Sequence, residues 1–476
     1  MYYCLKEDYL LRGWELLPTA LVKKRSGKVV FLKPEFYAKI RDMSWMMFEG
    51  SPFLTEEERT AMEQLVKNDY VDLCESPRPL KPEQEYRFYQ NRYLRAVHWA
   101  ITGHCNCRCK HCYMSAPTGH IPEFSSQKCF EIVDQMEAAG IQVVSLTGGE
   151  ALVRKDFMEL VERLTNAGIL IQTIMSNGLL VNEDLLNRLE ALGQKPEFNM
   201  SFDGIGCHDW LRGVNGAEEA VIRAFKLCAE HGFPTGAEYC LHKGNKHVFR
   251  DSVKLLAELG CRSLKVNGLS EEGEALNIKD WFLPLEEEYQ FYLDYVPQFF
   301  EDGVPLNLML SALFMNQGKN SFTIPAIKLQ EDQDCSNYCL CGHARNWMHI
   351  TADGYIVPCI PIGSVECGRK HFPNIYNTTL VEALRDSAYM SFIDTRLAAY
   401  FEHNPECGVC EYRNRCAGGC RGNAAGSGDL LGKDQKVCTM FKEGWVDKMT
   451  ELLMKYVPEK EDNEQTGKQL KTENKE

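Results

Sequence analysis

The sequence has no run of about 18 uninterrupted apolar residues, which a membrane-crossing helix needs, so no membrane span is expected. It has no surplus of positive charge either. The formal net charge is −14, which argues against a nucleic acid held by bulk electrostatics. The opening residues, Met1-Tyr2-Tyr3-Cys4-Leu5-Lys6-Glu7-Asp8, lack the basic stretch and apolar core of an export signal. Without export, the 21 cysteines are not expected to be a disulfide framework. Reduced thiols or metal ligands fit better, and the expected compartment is the cytoplasm. With 44% hydrophobic and 25% charged residues, the 476-residue chain reads as ordinary globular protein of more than one domain.

What is present is cysteine in clusters. Cys105, Cys109 and Cys112 stand in a C-x3-C-x2-C spacing within Cys105-Asn106-Cys107-Arg108-Cys109-Lys110-His111-Cys112-Tyr113. A cuboidal iron–sulfur cluster normally takes four protein thiolates. Three on one loop leave an iron open to a small chelating molecule. A zinc site is the plain alternative, but zinc sites more often combine two C-x2-C pairs, or cysteine with histidine. Cys107 falls outside the spacing and reads as a bystander.

Residues 1–90 hold no such triplet. Ala20–Lys24 and Lys28–Leu32 flank Arg25-Ser26-Gly27, a hairpin signal. A helix is expected from Pro34 to Met43, and Thr55 with Glu58 is a capping-box pattern opening another to about Lys67. Tyr70–Cys74 reads as a closing strand. This order suggests a small winged-helix-like module. It is either a plain extension packed on the core or a clamp that adds a peptide strand to an open sheet edge. Ser76-Pro77-Arg78-Pro79-Leu80-Lys81-Pro82 reads as a linker.

From Ala96 to Val266 strands and helices alternate. Six βα units predict a parallel sheet, closed or partly closed into a barrel, over residues 91–310. Ligands then bind at the carboxyl ends of the strands. Thr147-Gly148-Gly149-Glu150, Ser176-Asn177-Gly178 and Ser201-Phe202-Asp203-Gly204 sit there, with His208-Asp209-Trp210-Leu211-Arg212-Gly213 next. Glycines let backbone approach a ligand closely, and Glu150 can accept from an ammonium. By default the other two are ordinary turns.

A second cysteine field occupies residues 311–457. Cys335, Cys339 and Cys341 come first. Twelve residues, Gly354, four residues and Cys359 follow Cys341. Then come Cys407-x2-Cys410-x5-Cys416-x3-Cys420 and, seventeen residues later, Cys438. The other cysteines, Cys240 among them, read as small buried hydrophobes. After Pro458, residues 458–476 have almost no apolar side chain and should form a disordered tail.

The triplet and the Gly148-Gly149-Glu150 turn resemble the radical SAM superfamily. The resemblance implies that Cys105, Cys109 and Cys112 hold a [4Fe-4S] cluster. Its open iron chelates S-adenosyl-L-methionine (SAM), and reductive cleavage gives a 5′-deoxyadenosyl radical that abstracts hydrogen. It implies that Gly148, Gly149 and Glu150 hold the methionine amino group. Ser176, Asn177, Ser201 and Asp203 would contact the carboxylate and ribose, Arg212 the carboxylate, and Tyr113 the adenine. The second field resembles the SPASM signature in every element. It implies two auxiliary [4Fe-4S] clusters, one on Cys335, Cys341, Cys359 and Cys420, the other on Cys407, Cys410, Cys416 and Cys438. Cys339 leaves the first ligand open. Without Cys335, an open iron would remain to bind a substrate thiol.

The implied fold is a partial (βα)6 TIM-like barrel with an N-terminal winged-helix-like module and a C-terminal iron–sulfur SPASM domain. Relatives with all three parts are peptide maturases, such as the ranthipeptide- and sactipeptide-type thioether synthases. The implied function is hydrogen abstraction from a ribosomally made precursor peptide to form a crosslink, a cysteine thioether first. The implied partners are a leader-bearing precursor and a flavodoxin- or ferredoxin-type electron donor. Carbon–carbon crosslinking stays open. Formylglycine-type oxidation falls behind, because Ile360 follows Cys359 where those relatives carry aspartate. A non-catalytic zinc or peptide-binding protein is the alternative of another class.

Overall fold

The computed structural model describes residues 1–24, 26–34, 37–38, 55–116, 121, 123–330 and 333–456. The expected Pro34–Met43 helix lies largely, and the tail after Pro458 wholly, outside the described residues.

The N-terminal part contains β1 (Tyr2–Leu5), β2 (Tyr9–Glu15), β3 (Leu17–Lys23), β4 (Val29–Phe31), α1 (Glu56–Lys67), β5 (Val71–Cys74) and β6 (Arg87–Arg92). The expected hairpin is β3–β4, with Ala20 opposite Phe31 and Val22 opposite Val29. Thr55 and Glu58 close both halves of the capping box on α1. β1 pairs with β5, and a four-stranded sheet runs β4-β3-β2-β6. The stretch expected as a linker is docked: Arg78 donates to Leu5 O (3.0 Å), and just beyond it Gln84 donates to Tyr9 O (3.0 Å). Trp14 is buried, stacks on Tyr89, and donates to Ala139 O (3.2 Å), which seats the module on the barrel.

The barrel part alternates β7 (Ala96–Ala100), α2 (Ser126–Ala138), β8 (Val143–Thr147), α3 (Phe157–Asn166), β9 (Leu170–Ser176), α4 (Glu183–Ala191), β10 (Glu197–Ser201), α5 (His208–Arg212), α6 (Ala217–Glu230), β11 (Thr235–Leu241), α7 (Phe249–Glu258) and β12 (Ser263–Gly268). α8 (Leu285–Glu301), β13 (Asn307–Leu310), β14 (Phe314–Asn316), β15 (Phe322–Thr323), β16 (Trp347–Ile350) and β17 (Ile356–Val357) follow. All of β8 is buried, as expected of a parallel strand covered on both faces.

The large sheet runs β15-β14-β13-β12-β11-β10-β9-β8-β7-β16-β17. It is parallel from β16 through β13, with antiparallel strands at both ends. Among the described residues the ends do not pair, so the barrel is partial. β16, from beyond residue 310, pairs in parallel with β7, Trp347 opposite Ala96. One sheet therefore spans the barrel and the start of the cysteine-rich part. One apolar core does too: Trp99 and Leu146 belong to the same cluster as Met348 and Tyr389. No helix among the described residues is long and apolar enough to cross a membrane.

Candidate active site and iron–sulfur centres

The cysteine loop leaves β7 and is pinned from two sides. On one side Gly149 N–H donates to Thr102 O (3.0 Å) and Glu150 N–H to His104 O (2.9 Å). Neither glycine can carry a side chain there. A Cβ on Gly148 would lie 2.4 Å from Thr102 O, and one on Gly149 2.3 Å from His104 O. On the other side Arg108 N–H donates to Arg212 O (3.0 Å) and Lys110 N–H to Leu211 O (2.8 Å). The loop's three spaced cysteines stay partly accessible, while Cys107 is buried between them. The Cys107 thiol hydrogen-bonds to Cys105 and Cys109, and these contacts push it up. They push Cys105 down, and Cys109 down to about 6, with the Arg212 guanidinium adding to the latter. Cys107, expected as a bystander, is thus the hydrogen-bonding partner of two candidate ligands.

Glu150 is buried and gathers the expected polar residues. Its Oε1 accepts from Ser176 Oγ (3.0 Å) and Leu152 N (3.1 Å), and its Oε2 from Asn177 N (2.7 Å). Burial lifts its carboxyl to about 7. Asn177 Nδ2 reaches Asn106 Oδ1 (2.6 Å) and lies 3.9 Å from Cys105 Sγ. Asp203 is fully buried and holds Arg212, whose Nε is 2.7 Å from Asp203 Oδ2.

A cavity of about 2830 Å3 opens over these strand ends. Cys105, Cys109, Tyr113, Gly148, Gly149, Glu150, Ser176, Asn177, Ser201 and Arg212 line one end of it. Asp203 does not; it stands behind Arg212. Cys339, Cys341, Cys359 and Cys420 line the same cavity further on. Burial pushes the Cys341 and Cys359 thiols up, and Cys420 is near enough to both to add to that, as is Cys341 to Cys359.

Cys407, Cys410, Cys416 and Cys438 surround a separate pocket of about 50 Å3, walled by Tyr400, Phe401, Tyr412 and Phe441. Cys335 lines neither pocket, although Cys407 of the second group packs against the apolar cluster it belongs to. It is buried with Leu340, Leu397 and Tyr400, and its thiol lies 3.9 Å from Arg413 O. Cys339 Sγ instead faces the cavity and accepts from Arg345 (2.9 Å) and Arg396 (3.0 Å).

These thiol sets suit clusters. Among the described residues no group of three or more His, Cys, Asp or Glu side chains is placed to hold a single metal ion. Zinc would draw its sulfurs to about 2.3 Å from one point, whereas a cluster spreads its ligands over separate irons.

Asp434 went unnoticed in the sequence. It caps the Gln435–Lys442 helix, accepting from Val437 N (3.1 Å), and accepts from Cys420 N (2.8 Å). That helix carries Cys438, so one carboxylate ties Cys420 of one set to Cys438 of the other. An acidic residue four before a cysteine was the available signal.

Residues 99–256 match the model of the radical SAM superfamily, and residues 339–411 match that of an iron–sulfur cluster-binding domain, SPASM. The protein is an enzyme that carries a radical SAM domain and a SPASM domain. An AdoMet-dependent heme synthase of Oleidesulfovibrio alaskensis is 25% identical to the enzyme over 354 residues, 72% of this chain and 87% of that one. The sporulation killing factor maturation protein SkfB of Bacillus subtilis is 27% identical over 276 residues, 56% of this chain and 61% of that one. The crystal structure of Streptococcus suis SuiB bound to its precursor peptide SuiA shares the fold, with a TM-score of 0.58 at 17% identity, over 92% of this chain and 99% of that one. The two domains indicate a SAM-binding [4Fe-4S] cluster and auxiliary clusters.

Proposed function

We propose that the enzyme matures a ribosomally made precursor peptide in the cytoplasm, forming a crosslink of which a cysteine thioether is the first candidate. The observation that carries this reading is the continuity of one cavity. It joins the SAM-site loop to the thiols of Cys341, Cys359 and Cys420, and its rim includes Leu16, Leu17 and Phe31 of the N-terminal module. An extended chain entering past that module can reach both ends. The SuiB likeness extends over the whole length of that peptide-binding protein, which supports the reading, whereas the heme synthase leaves more than a quarter of this chain unmatched.

In this reading Cys105, Cys109 and Cys112 hold the SAM-site cluster. When bound, cluster and SAM together supply a hydrogen-abstracting radical, and that chemistry belongs to the cofactor. The chain's part is to bind and orient. Gly148 and Gly149 leave room for the methionine end, Glu150 accepts from its ammonium, and Ser176 and Asn177 hold Glu150 in place. Cys407, Cys410, Cys416 and Cys438 hold one auxiliary cluster. Cys341, Cys359 and Cys420 hold three corners of the other, with Cys335 or Cys339 as the fourth ligand or an open iron. Residues 1–90 act as the leader clamp, residues 91–310 as the barrel and 311–457 as the SPASM part. Electrons come from a flavodoxin- or ferredoxin-type donor.

A second reading, a tetrapyrrole substrate, is favoured by the heme synthase likeness. One experiment separates them. The reconstituted enzyme is given a cysteine-containing precursor peptide encoded beside its gene and, in parallel, an iron porphyrin. Loss of two hydrogens from the peptide, dependent on its leader, is expected. Conversion of the porphyrin with the peptide untouched would overturn the maturase reading.

A further inference from the structure

Arg212 is a cation set against the cysteine loop in a way the cofactor-binding reading does not use. Its Nε donates to Asp203 Oδ2 at 2.7 Å, and the Asp203 side chain is fully buried. The other carboxylate oxygen is taken by Cys240 N–H at 3.0 Å. With the carboxylate fixed on both oxygens, the guanidinium has little freedom to turn. Its Nη1 lies 3.8 Å from Cys109 Sγ.

The backbone repeats the same aim. Arg108 N–H and Lys110 N–H, on either side of Cys109, donate to Arg212 O and Leu211 O. Gly213 closes α5 at φ +65°, and a Cβ there would lie 2.3 Å from Arg108 O, so the loop and α5 approach too closely for a side chain.

We infer that Arg212, aimed by Asp203, is a positioning residue for Cys109 and sets the reduction potential of the cluster that Cys109 ligates, instead of clamping the SAM carboxylate. The inference rests on Cys109 being a cluster ligand and does not depend on which substrate the enzyme takes. Reducing a cluster adds negative charge. A fixed, largely buried cation beside one of its sulfurs stabilises that charge. The buried carboxylate has the opposite effect, so the potential reflects the pair.

The test measures the midpoint potential of the cluster whose paramagnetic signal changes when SAM is added, in the reconstituted full-length enzyme without substrate. SAM affinity is measured on the same samples. Arg212→Gln should lower the potential by about 59 mV or more, a tenfold change in the one-electron equilibrium. Asp203→Asn should raise it, because the cation then stands uncompensated. Arg212→Lys, which keeps the charge, should fall between wild type and Arg212→Gln. A merely structural loss would move Arg212→Gln and Asp203→Asn the same way, so shifts of one sign overturn the inference. An unchanged potential with SAM affinity lost in Arg212→Gln also overturns it and makes Arg212 the carboxylate clamp. If Arg212→Gln takes up no iron, the Asp203→Asn and Arg212→Lys shifts decide alone, upward and downward respectively if the inference holds. Because no peptide is present, failure of the maturase reading leaves this result untouched.

Discussion

The two ends of the cavity are built differently. At the SAM end the three spaced cysteines come from one loop, Cys105 to Cys112, pinned by backbone hydrogen bonds to the Gly148-Gly149 turn and to α5. At the far end Cys341, Cys359 and Cys420 come from distant stretches and meet only because short helices pack around them. Ile360–Ser364 lies against Arg421–Ala425, and a Cβ on Gly422 would come within 2.6 Å of Pro361. A local centre depends on loop conformation. A dispersed one depends on the packing of the whole C-terminal part.

That contrast can be broken by experiment, and the largest effect lies at the local end. Cys105→Ala, Cys109→Ala or Cys112→Ala should abolish SAM cleavage and remove about four irons per chain, leaving the auxiliary iron in place. Turnover surviving in any of the three would end the assignment. Next in size, Cys341→Ser, Cys359→Ser or Cys420→Ser should cost about four irons, while Cys335→Ser, buried away from the cavity, should cost none. Iron and sulfide analysis decides this, and a cluster lost in Cys335→Ser would return that thiol to the ligand set.

Asp434→Ala should have a smaller effect that appears only at the dispersed end. Losing the cap costs about 0.5–2 kcal/mol, and losing the Cys420 N–H bond loosens the link between the two sets. Auxiliary iron should load incompletely with the SAM-site signal intact. Equal thermal stability and iron content would show that packing alone holds the link.

The smallest effect concerns Glu150, whose carboxyl burial raises to about 7. Because the folded value lies above the unfolded one, its contribution to stability of the apo enzyme is present at low pH and lost as pH rises through about 7. An ammonium beside the carboxylate reverses this. SAM binding should therefore tighten with rising pH, by up to about tenfold per unit below 7, and level off above. Calorimetry from pH 6 to 8 gives the slope, and Glu150→Gln should flatten it. A flat profile in the wild type would remove Glu150 from the ammonium.

Much of this was legible from residue order. The alternation from Ala96 to Val266 marked β7 to β12 and the helices between them except the short α5, because buried parallel strands are rich in apolar residues and amphipathic helices alternate with a longer period. The Thr55–Glu58 box marked α1 through local backbone chemistry. β1, β2 and β6 were not read. Their hydrophobic residues pack against partners far along the chain, such as Trp14 on Tyr89, and no local period reports that. β16 was missed for the same reason: its partner, β7, lies some 250 residues earlier, as in the pairing of Trp347 with Ala96.

Sequence alone was enough for the chemistry available: a three-thiol loop, a Gly-Gly-Glu turn behind a strand, and a second field of cysteines at fixed spacings. Those signals are local, and covalent spacing sets them. Which thiols meet was decided only by the tertiary structure. Cys107 lies between Cys105 and Cys109, Arg212 is aimed at Cys109 by Asp203, Cys339 and Cys341 line the cavity, and Cys335 lines neither pocket. Those placements depend on which backbone groups find partners and which side chains are buried, across hundreds of residues.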